Sequence, residues 1–341
     1  MVCRRVCRAC KRTALSASFN DPECRLAPAA ARPALVLGGA GFIGSALRRR
    51  LAMEGRPTTV LTRSAPADRT FAGETWIQGD FGETDLVAEL MSPSHDVYHL
   101  VSNSSPGIGN WDVEIDIANT VVPTLRLIKA AVRVGVRKLI YVSSGGTVYG
   151  IPEVLPIPED APTNPISAYG IGKLAQEKYL LLFNRHHGLD CQILRVANPY
   201  GPGQKPGGSQ GVVANLLGQA LKGEPFHIWG DGSVARDFVH VDDVAHALVL
   251  ASDYMGNQRV FNVGSGQARQ IATIAVDIER VLGLRNQPRI HHESRGFDVP
   301  ENYLDITRIG SETGWAPTTP WLAGLGGTAE WIQRIHSRNA M

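Results

Sequence analysis

Beyond its first 32 residues the chain has almost no cysteine. Of five cysteines among 341 residues, Cys3, Cys7, Cys10 and Cys24 lie in that leader and only Cys191 follows it. A body with one thiol builds no internal disulfide, which matches a reducing compartment and hence a cytoplasmic protein. The sequence also lacks any apolar run near the ~20 residues that cross a bilayer, so no membrane segment is expected. Basic excess is missing too. The leader carries seven Lys/Arg against Asp21 and Glu23, a net +5, leaving the body with 27 basic against 30 acidic residues, a net −3. A body of that charge has no electrostatic footprint for nucleic acid. There is no internal repeat.

The leader's cysteines follow C-x3-C-x2-C, with a fourth 14 positions on. No second C-x2-C and no histidine accompany them, so no metal site is read there. Residues 1–32 are taken as a disordered basic extension, Arg-rich like a transit peptide and without an apolar secretion segment.

From Pro33 onward the texture is orderly. "ALVLGG", "TTVLT", "TWIQ", "DVYHLV", "KLIYVSS" and "CQILRV" are short apolar runs, separated by stretches such as "FIGSALRRRLAMEG" and "TVVPTLRLIKAAVRVG" with helical spacing. Strands alternating with amphipathic helices predict an α/β protein: a Rossmann-type, doubly wound parallel sheet covered on both faces. Residues 33–200, with returns near 238–268, form the dinucleotide-binding domain in this reading. Residues 201–237 and 269–335, after the loop "GPGQKPGGSQG", form a smaller interleaved substrate region.

Between the first strand and first helix, "LVLGGAGFIGSAL" sets Gly38, Gly41 and Gly44 at intervals of three. Glycine suits a tight turn with positive φ, a backbone approaching a pyrophosphate, and a helix packed close on its strand. The helix N-terminus then offers free N–H groups to the phosphates. A ribose 2′-hydroxyl calls for an acid at the end of the second strand, yet "VLTRSA" presents Thr62, Arg63 and Ser64. Arg63 there suits a 2′-phosphate, so the cofactor is NAD or NADP with a lean toward NADP. Asp80, ending the third strand, is placed to accept from the adenine amino group.

In "ISAYGIGKLAQEKY", Tyr169 and Lys173 are four apart on a helix that Ser167 can cap and that ends near Gly188. Positions i and i+4 share a face. A tyrosine, whose phenol ordinarily ionises near pH ~10, becomes a base at neutral pH if an ammonium and an oxidised nicotinamide stabilise its phenolate. Asp242 and Asp243 in "HVDDVA" are read as caps of the helix that follows.

These motifs, with "GGAGFIG", "NTVVPTLRLIKAA", "VSSGGTVYG", "NPISAYGIGK", "LRVANPYGPGQ", "GDGSVARDFVHVDDVA" and "SRGFDVPENYLD", occur in one order from Pro33 to Ile335. On them the chain resembles the extended short-chain dehydrogenase/reductases, specifically the NAD-dependent epimerase/dehydratase family around UDP-glucose 4-epimerase. The resemblance implies that Tyr169 is the base and that Lys173 binds the nicotinamide ribose. Phe42, Ile43, Thr62 and Phe81 would lie beside the cofactor. A hydroxyl from "SSGGTVYG" would share the sugar proton. Counting forward along the strand reaches Ser144, with Thr147 as substitute, whereas counting back from Tyr149 reaches Gly145. Asn119 and Asn198 would lie near the sugar nucleotide, Arg236 and Arg295 would clamp its diphosphate, and Asp298 would bind a ribose hydroxyl. Asn302, where some relatives carry a bulkier residue, would widen the sugar pocket enough for an N-acetyl group. A homodimer through the tyrosine helix and its predecessor is also implied.

The resemblance points to UDP-hexose 4-epimerisation, by hydride removal at C4, a 4-keto intermediate and hydride return to the opposite face. A 4,6-dehydratase carries Asp-Glu after the catalytic hydroxyl, where this chain has Gly145, Gly146 and Thr147. The rival reading is an NADPH-dependent 4-keto-sugar reductase, favoured by Arg63. A dinucleotide-binding module without turnover is the reading from another class, and the retained Tyr169 and Lys173 weigh against it.

Overall fold

Short, largely apolar runs such as "ALVL" suit strands covered on both faces, and they form the centre of one large parallel sheet. A computed structural model describes residues 32–63, 70–102, 113–208, 210–294 and 299–339. The first half runs β1 (Ala34–Leu37), α1 (Phe42–Met53), β2 (Thr58–Thr62), β3 (Glu74–Gln78), α2 (Thr84–Glu89), β4 (Asp96–His99), α3 (Val113–Asp116), α4 (Val122–Val134), β5 (Lys138–Ser144), α5 (Ala168–His187) and β6 (Cys191–Val196). Then follow β7 (Asn198–Tyr200), α6 (Val212–Lys222), β8 (Phe226–Trp229), β9 (Ala235–His240), α7 (Val241–Asp253) and β10 (Val260–Val263). The chain ends with β11 (Ala268–Gln270), α8 (Ile271–Leu282), β12 (Arg289–His292), β13 (Glu301–Asn302), α9 (Thr307–Thr313) and α10 (Trp321–Asn339).

The large sheet has the order β10-β6-β5-β4-β1-β2-β3, every pair parallel. Its direction of winding reverses between β1 and β4, which opens a crevice at their carboxyl ends. One face is sealed by Leu47 and Leu51 of α1 and Leu248 of α7, the other by Leu127 and Ile128 of α4 and Leu180 of α5. Burying each such side chain contributes roughly 1.5–3 kcal/mol.

Polar anchors fix this frame. Asp96, fully buried at the start of β4, pairs with Arg56 and Arg137, and Arg56 also reaches Tyr98 Oη (3.1 Å) and Ser252 Oγ (3.2 Å). Arg32, the last residue of the leader read from sequence, is packed here and pairs with Asp253. Residues 1–31 lie outside the described residues.

A second sheet joins β11, β9 and β13, with β7 also paired to β9, while β8 and β12 form a two-stranded ribbon. Helices α6, α8 and α10 pack around them through Leu216, Leu217, Ile274, Ile278, Leu325 and Ile332. The cap of α7 differs from expectation. His240 is the N-cap residue, accepting from Asp242 N–H at 3.3 Å, because both aspartates already lie inside the first turn. Asp243 instead bonds Thr318 N–H and Oγ1 (both 3.0 Å) and Thr319 N–H (3.2 Å), tying α7 to the approach to α10. Among the described residues no helix is long and apolar enough to cross a membrane.

Candidate active site

The glycine turn behaves as its chemistry requires, with the work divided among the glycines. Gly38 has φ +85°, where a side chain is strained, and an added Cβ would sit 3.1 Å from Val101 N. Gly44 is needed for closeness: its Cβ would lie 2.4 Å from Gly38 O and 2.6 Å from Gly39 Cα. Gly41 caps α1 without a side chain, and the first turn of α1 carries no acid. Its N–H groups therefore face the crevice without a competing carboxylate, an arrangement fitted to a pyrophosphate.

Opposite stands α5. Ser167 Oγ accepts from Gly170 N–H at 3.1 Å and starts the helix, and Gly188, at φ +66°, ends it. Gly172 lets α3 come close, for a Cβ there would be 3.1 Å from Asp116 Oδ2. Tyr169 and Lys173 consequently share a face and line one cleft of about 1270 Å³ with Gly38, Gly41, Phe42, Ile43, Gly44, Ser144 and Thr147. Asn198 and Arg236 line the same cleft from the other side.

Burial is the largest influence on the charge of both Tyr169 and Lys173. Burial pushes the half-buried Tyr169 phenol up to about 12, countered by hydrogen bonds with the Ser144 and Ser102 hydroxyls, while Asp116 pushes it further up. Lys173 lies beside it on α5. Its Nζ donates to Val142 O at 3.0 Å and lies 5.8 Å from the Tyr169 ring centre and 5.0 Å from that of Tyr141. Burial brings the Lys173 ammonium down to about 8, with Glu177 and then Asp116 opposing the shift. So the cation is adjacent, with one of its three N–H groups donated to a backbone carbonyl.

The two ways of counting to a hydroxyl reach positions with different surroundings. Ser144 meets the phenol. A Cβ on Gly145 would lie 2.5 Å from Leu304 Cδ1 and 3.0 Å from Arg195 O, so that position has no room for a serine. Thr147 Oγ1 is buried without a hydrogen-bond partner among the described residues.

Other candidates lie elsewhere. Arg63, Asp80 and Asn119 line a separate cavity of about 620 Å³ together with Ser102 and Arg126. Thr62 lines neither cavity, and Phe81 is a core residue, its ring 4.7 Å from that of His99. Asn302 is buried opposite Arg236 in the β13–β9 register, with both amide atoms unpartnered among the described residues. Asn198 Nδ2 donates to Asp237 O (2.9 Å), and Arg236 Nη1 donates to Ala235 O (2.9 Å) and Val299 O (2.5 Å). Arg295 and Asp298 lie outside the described residues.

Comparison with known proteins bears directly on this arrangement. Residues 34–264 match the family described as NAD dependent epimerase/dehydratase. The chain belongs to that family. It is an enzyme of the extended short-chain dehydrogenase/reductase type, with the Rossmann-type sheet read from its sequence. It is 37% identical over 307 residues to a UDP-glucose 4-epimerase of Mycolicibacterium smegmatis, covering 88% of this chain and 98% of the relative. Among solved structures, UDP-glucose 4-epimerase of Thermotoga maritima with UDP-glucose superposes with a TM-score of 0.84 at 33% identity, covering 89% of this chain and 99% of that one. The Thermus thermophilus UDP-glucose 4-epimerase, in complex with NAD, does so with a TM-score of 0.80 at 30% identity, covering 88% and 99%.

Several neighbours of the site carried no sequence signal. Ser102 belongs to no motif, and Arg126, inside "NTVVPTLRLIKAA", is not singled out by it. Glu177, one turn beyond Lys173, is fully buried and gripped by Arg195, whose Nη2 lies 2.7 Å from Glu177 Oε2 and whose Nε lies 3.1 Å from each oxygen. Ser143 Oγ also donates to Glu177. At the far rim, Trp229 stacks on His292 (5.0 Å, 27°), which stacks on His227 (5.0 Å, 14°).

Proposed function

We propose that this enzyme is a nucleotide-sugar 4-epimerase whose substrate is a UDP-hexose. The observation that carries the reading is a single cleft in which the glycine turn, the Tyr169–Lys173 pair and the Ser144 hydroxyl converge, with Arg236 and Asn198 across from them. Relatives it matches almost end to end include UDP-glucose 4-epimerases, and a dTDP-4-dehydro-6-deoxyglucose reductase of Escherichia coli is 30% identical.

A nicotinamide dinucleotide held at the glycine turn would supply the hydride acceptor for C4 of the sugar. Tyr169, through Ser144, takes the proton of the C4 hydroxyl and returns it after the sugar has presented its other face. Lys173 would hold the nicotinamide ribose. Arg236 suits the diphosphate, because its planar fork bonds two oxygens at once and so anchors the nucleotide while the hexose turns. Arg295 and Asp298 share in nucleotide binding on the same reading. Burial holds the Tyr169 phenol up to about 12, and the positive charge of an oxidised nicotinamide would favour its ionised form. The exposed apolar residues Ile171, Tyr179 and Leu182 of α5 support a homodimer through that helix.

One observation favours the reductase alternative. Positions 62 and 63 offer no carboxylate to a ribose 2′-hydroxyl, while Arg63 and Arg126 line one cavity with Asp80, a setting suited to a 2′-phosphate. Purified protein incubated with UDP-hexoses decides between the two. Inversion at C4 without added cofactor supports the epimerase, and strict dependence on added NADPH with a 4-keto substrate supports the reductase. Tyr169→Phe should lower turnover by about 10²–10⁴-fold while dinucleotide binding persists. Unchanged turnover in that variant defeats both.

A further inference from the structure

We propose that Ser102 is a positioning residue whose hydroxyl, with that of Ser144, holds the Tyr169 oxygen between two hydrogen-bonding partners. The inference rests on the reading of Tyr169 as the acid–base group.

Strand register brings the two serines together. β4 and β5 are parallel with His99 opposite Tyr141, and the same offset carried forward sets residue 102 beside residue 144. The backbone leading to Ser102 is pinned. Leu100 N–H donates to Leu37 O at 3.0 Å, and Val101 N lies 3.1 Å from where a Gly38 Cβ would be. Ser102 thus leaves the end of β4 at a fixed height, lines both the large cleft and the smaller cavity, and meets the phenol together with Ser144.

The two contacts are not redundant. A neutral phenol has one proton, so it donates to one hydroxyl and accepts from the other, whereas a phenolate accepts from both. Hydrogen bonds to an ionised acceptor are roughly twice as strong as neutral ones, so the pair favours the anion. The remaining groups do little for it. Asp116 of α3 opposes the negative charge. Lys173 of α5 is bonded to Val142 O and faces Glu177. Tyr141 of β5, raised well above 10, and His99 of β4, lowered to about 3, are uncharged at neutral pH.

The test compares Ser102→Ala and Ser102→Thr with the unaltered enzyme, following phenolate absorbance by ultraviolet titration and the pH profile of kcat. Ser102→Ala should raise the pH at which Tyr169 ionises by about one unit and lower kcat about tenfold at neutral pH, with KM nearly unchanged. Ser102→Thr, which keeps a hydroxyl, should restore most of both. The inference is overturned if Ser102→Ala leaves titration and pH profile unmoved, or if Ala and Thr variants lose activity equally. Tyr169→Phe as a parallel control separates the two levels: full turnover there removes the acid–base reading itself, while loss there with an unmoved Ser102→Ala profile removes only Ser102's role.

Discussion

Replacing Glu177 by Gln tests how fold and chemistry are joined along α5. The substitution keeps shape and deletes one charge. Arg195, buried at 4% exposure, would keep Tyr149 Oη and Glu159 O, both at 2.9 Å, but lose the carboxylate that neutralises it. Breaking one side of a buried pair costs about 3–5 kcal/mol, since the remaining ion has neither water nor counter-charge. At about 2 °C per kcal/mol for a chain this size, the melting temperature should fall roughly 6–10 °C. Lys173 supplies a second readout. Glu177 is the foremost charge opposing the shift of its ammonium to about 8, so removing it lowers that value further. Activity that needs the Lys173 cation is lost as pH rises through the ammonium's pKa. The alkaline limb of kcat/KM should therefore move to lower pH. Thermal unfolding by circular dichroism and a pH–rate profile measure the two effects. A stability loss under about 1 kcal/mol would show that the pair is effectively solvated. A fixed alkaline limb would show that Glu177 does not govern Lys173.

Three further outcomes are expected. Burial, and then the charge of Lys173, keep His99 neutral down to about pH 3 against 6.5 unfolded. The unfolded chain therefore binds the extra proton between those values, and stability should fall by up to about 1.4 kcal/mol per pH unit below 6.5, a slope that His99→Gln should reduce in urea titrations. Gly44→Ala puts a Cβ 2.4 Å from Gly38 O, so it should cost about 1–3 kcal/mol of stability and weaken dinucleotide binding in calorimetry. If Arg63 and Arg126 receive a 2′-phosphate, Arg126→Ala should weaken NADP binding and leave NAD binding unchanged; equal effects on both would exclude that role.

Much of this architecture is legible in short stretches. "TTVLT", "KLIYVSS" and "CQILRV" coincide with β2, β5 and β6 because short runs rich in β-branched and aliphatic residues between helical stretches mark buried strands. Ser167 and Gly188 bound α5 because capping is local. Long-range geometry is not legible in that way. Ahead of α4 the helix widens into a π turn at Ile117–Val121, where Val122 N–H bonds Ile117 O just before Pro123, and no composition marks such a turn. Phe81 reads as a cofactor neighbour, and its ring packs on His99, because the direction of a residue in the turn after β3 depends on how that turn folds. That Lys173 would bond Val142 O, or that Ser102 would meet Tyr169, depends on how two strands and a helix register in space.

The position of β10 limits how the protein can be divided. It borders β6, whose six residues are all buried, and it is supplied only after α6, the β8–β9 segment and α7 have been made. A chain stopped after β7 would leave Cys191–Val196 as a bare apolar edge, with unpaired backbone groups open to any neighbouring copy. Trimming at the apparent domain boundary should therefore yield an aggregating fragment rather than a minimal dinucleotide binder, and a nascent chain is equally unprotected until Val263 has emerged.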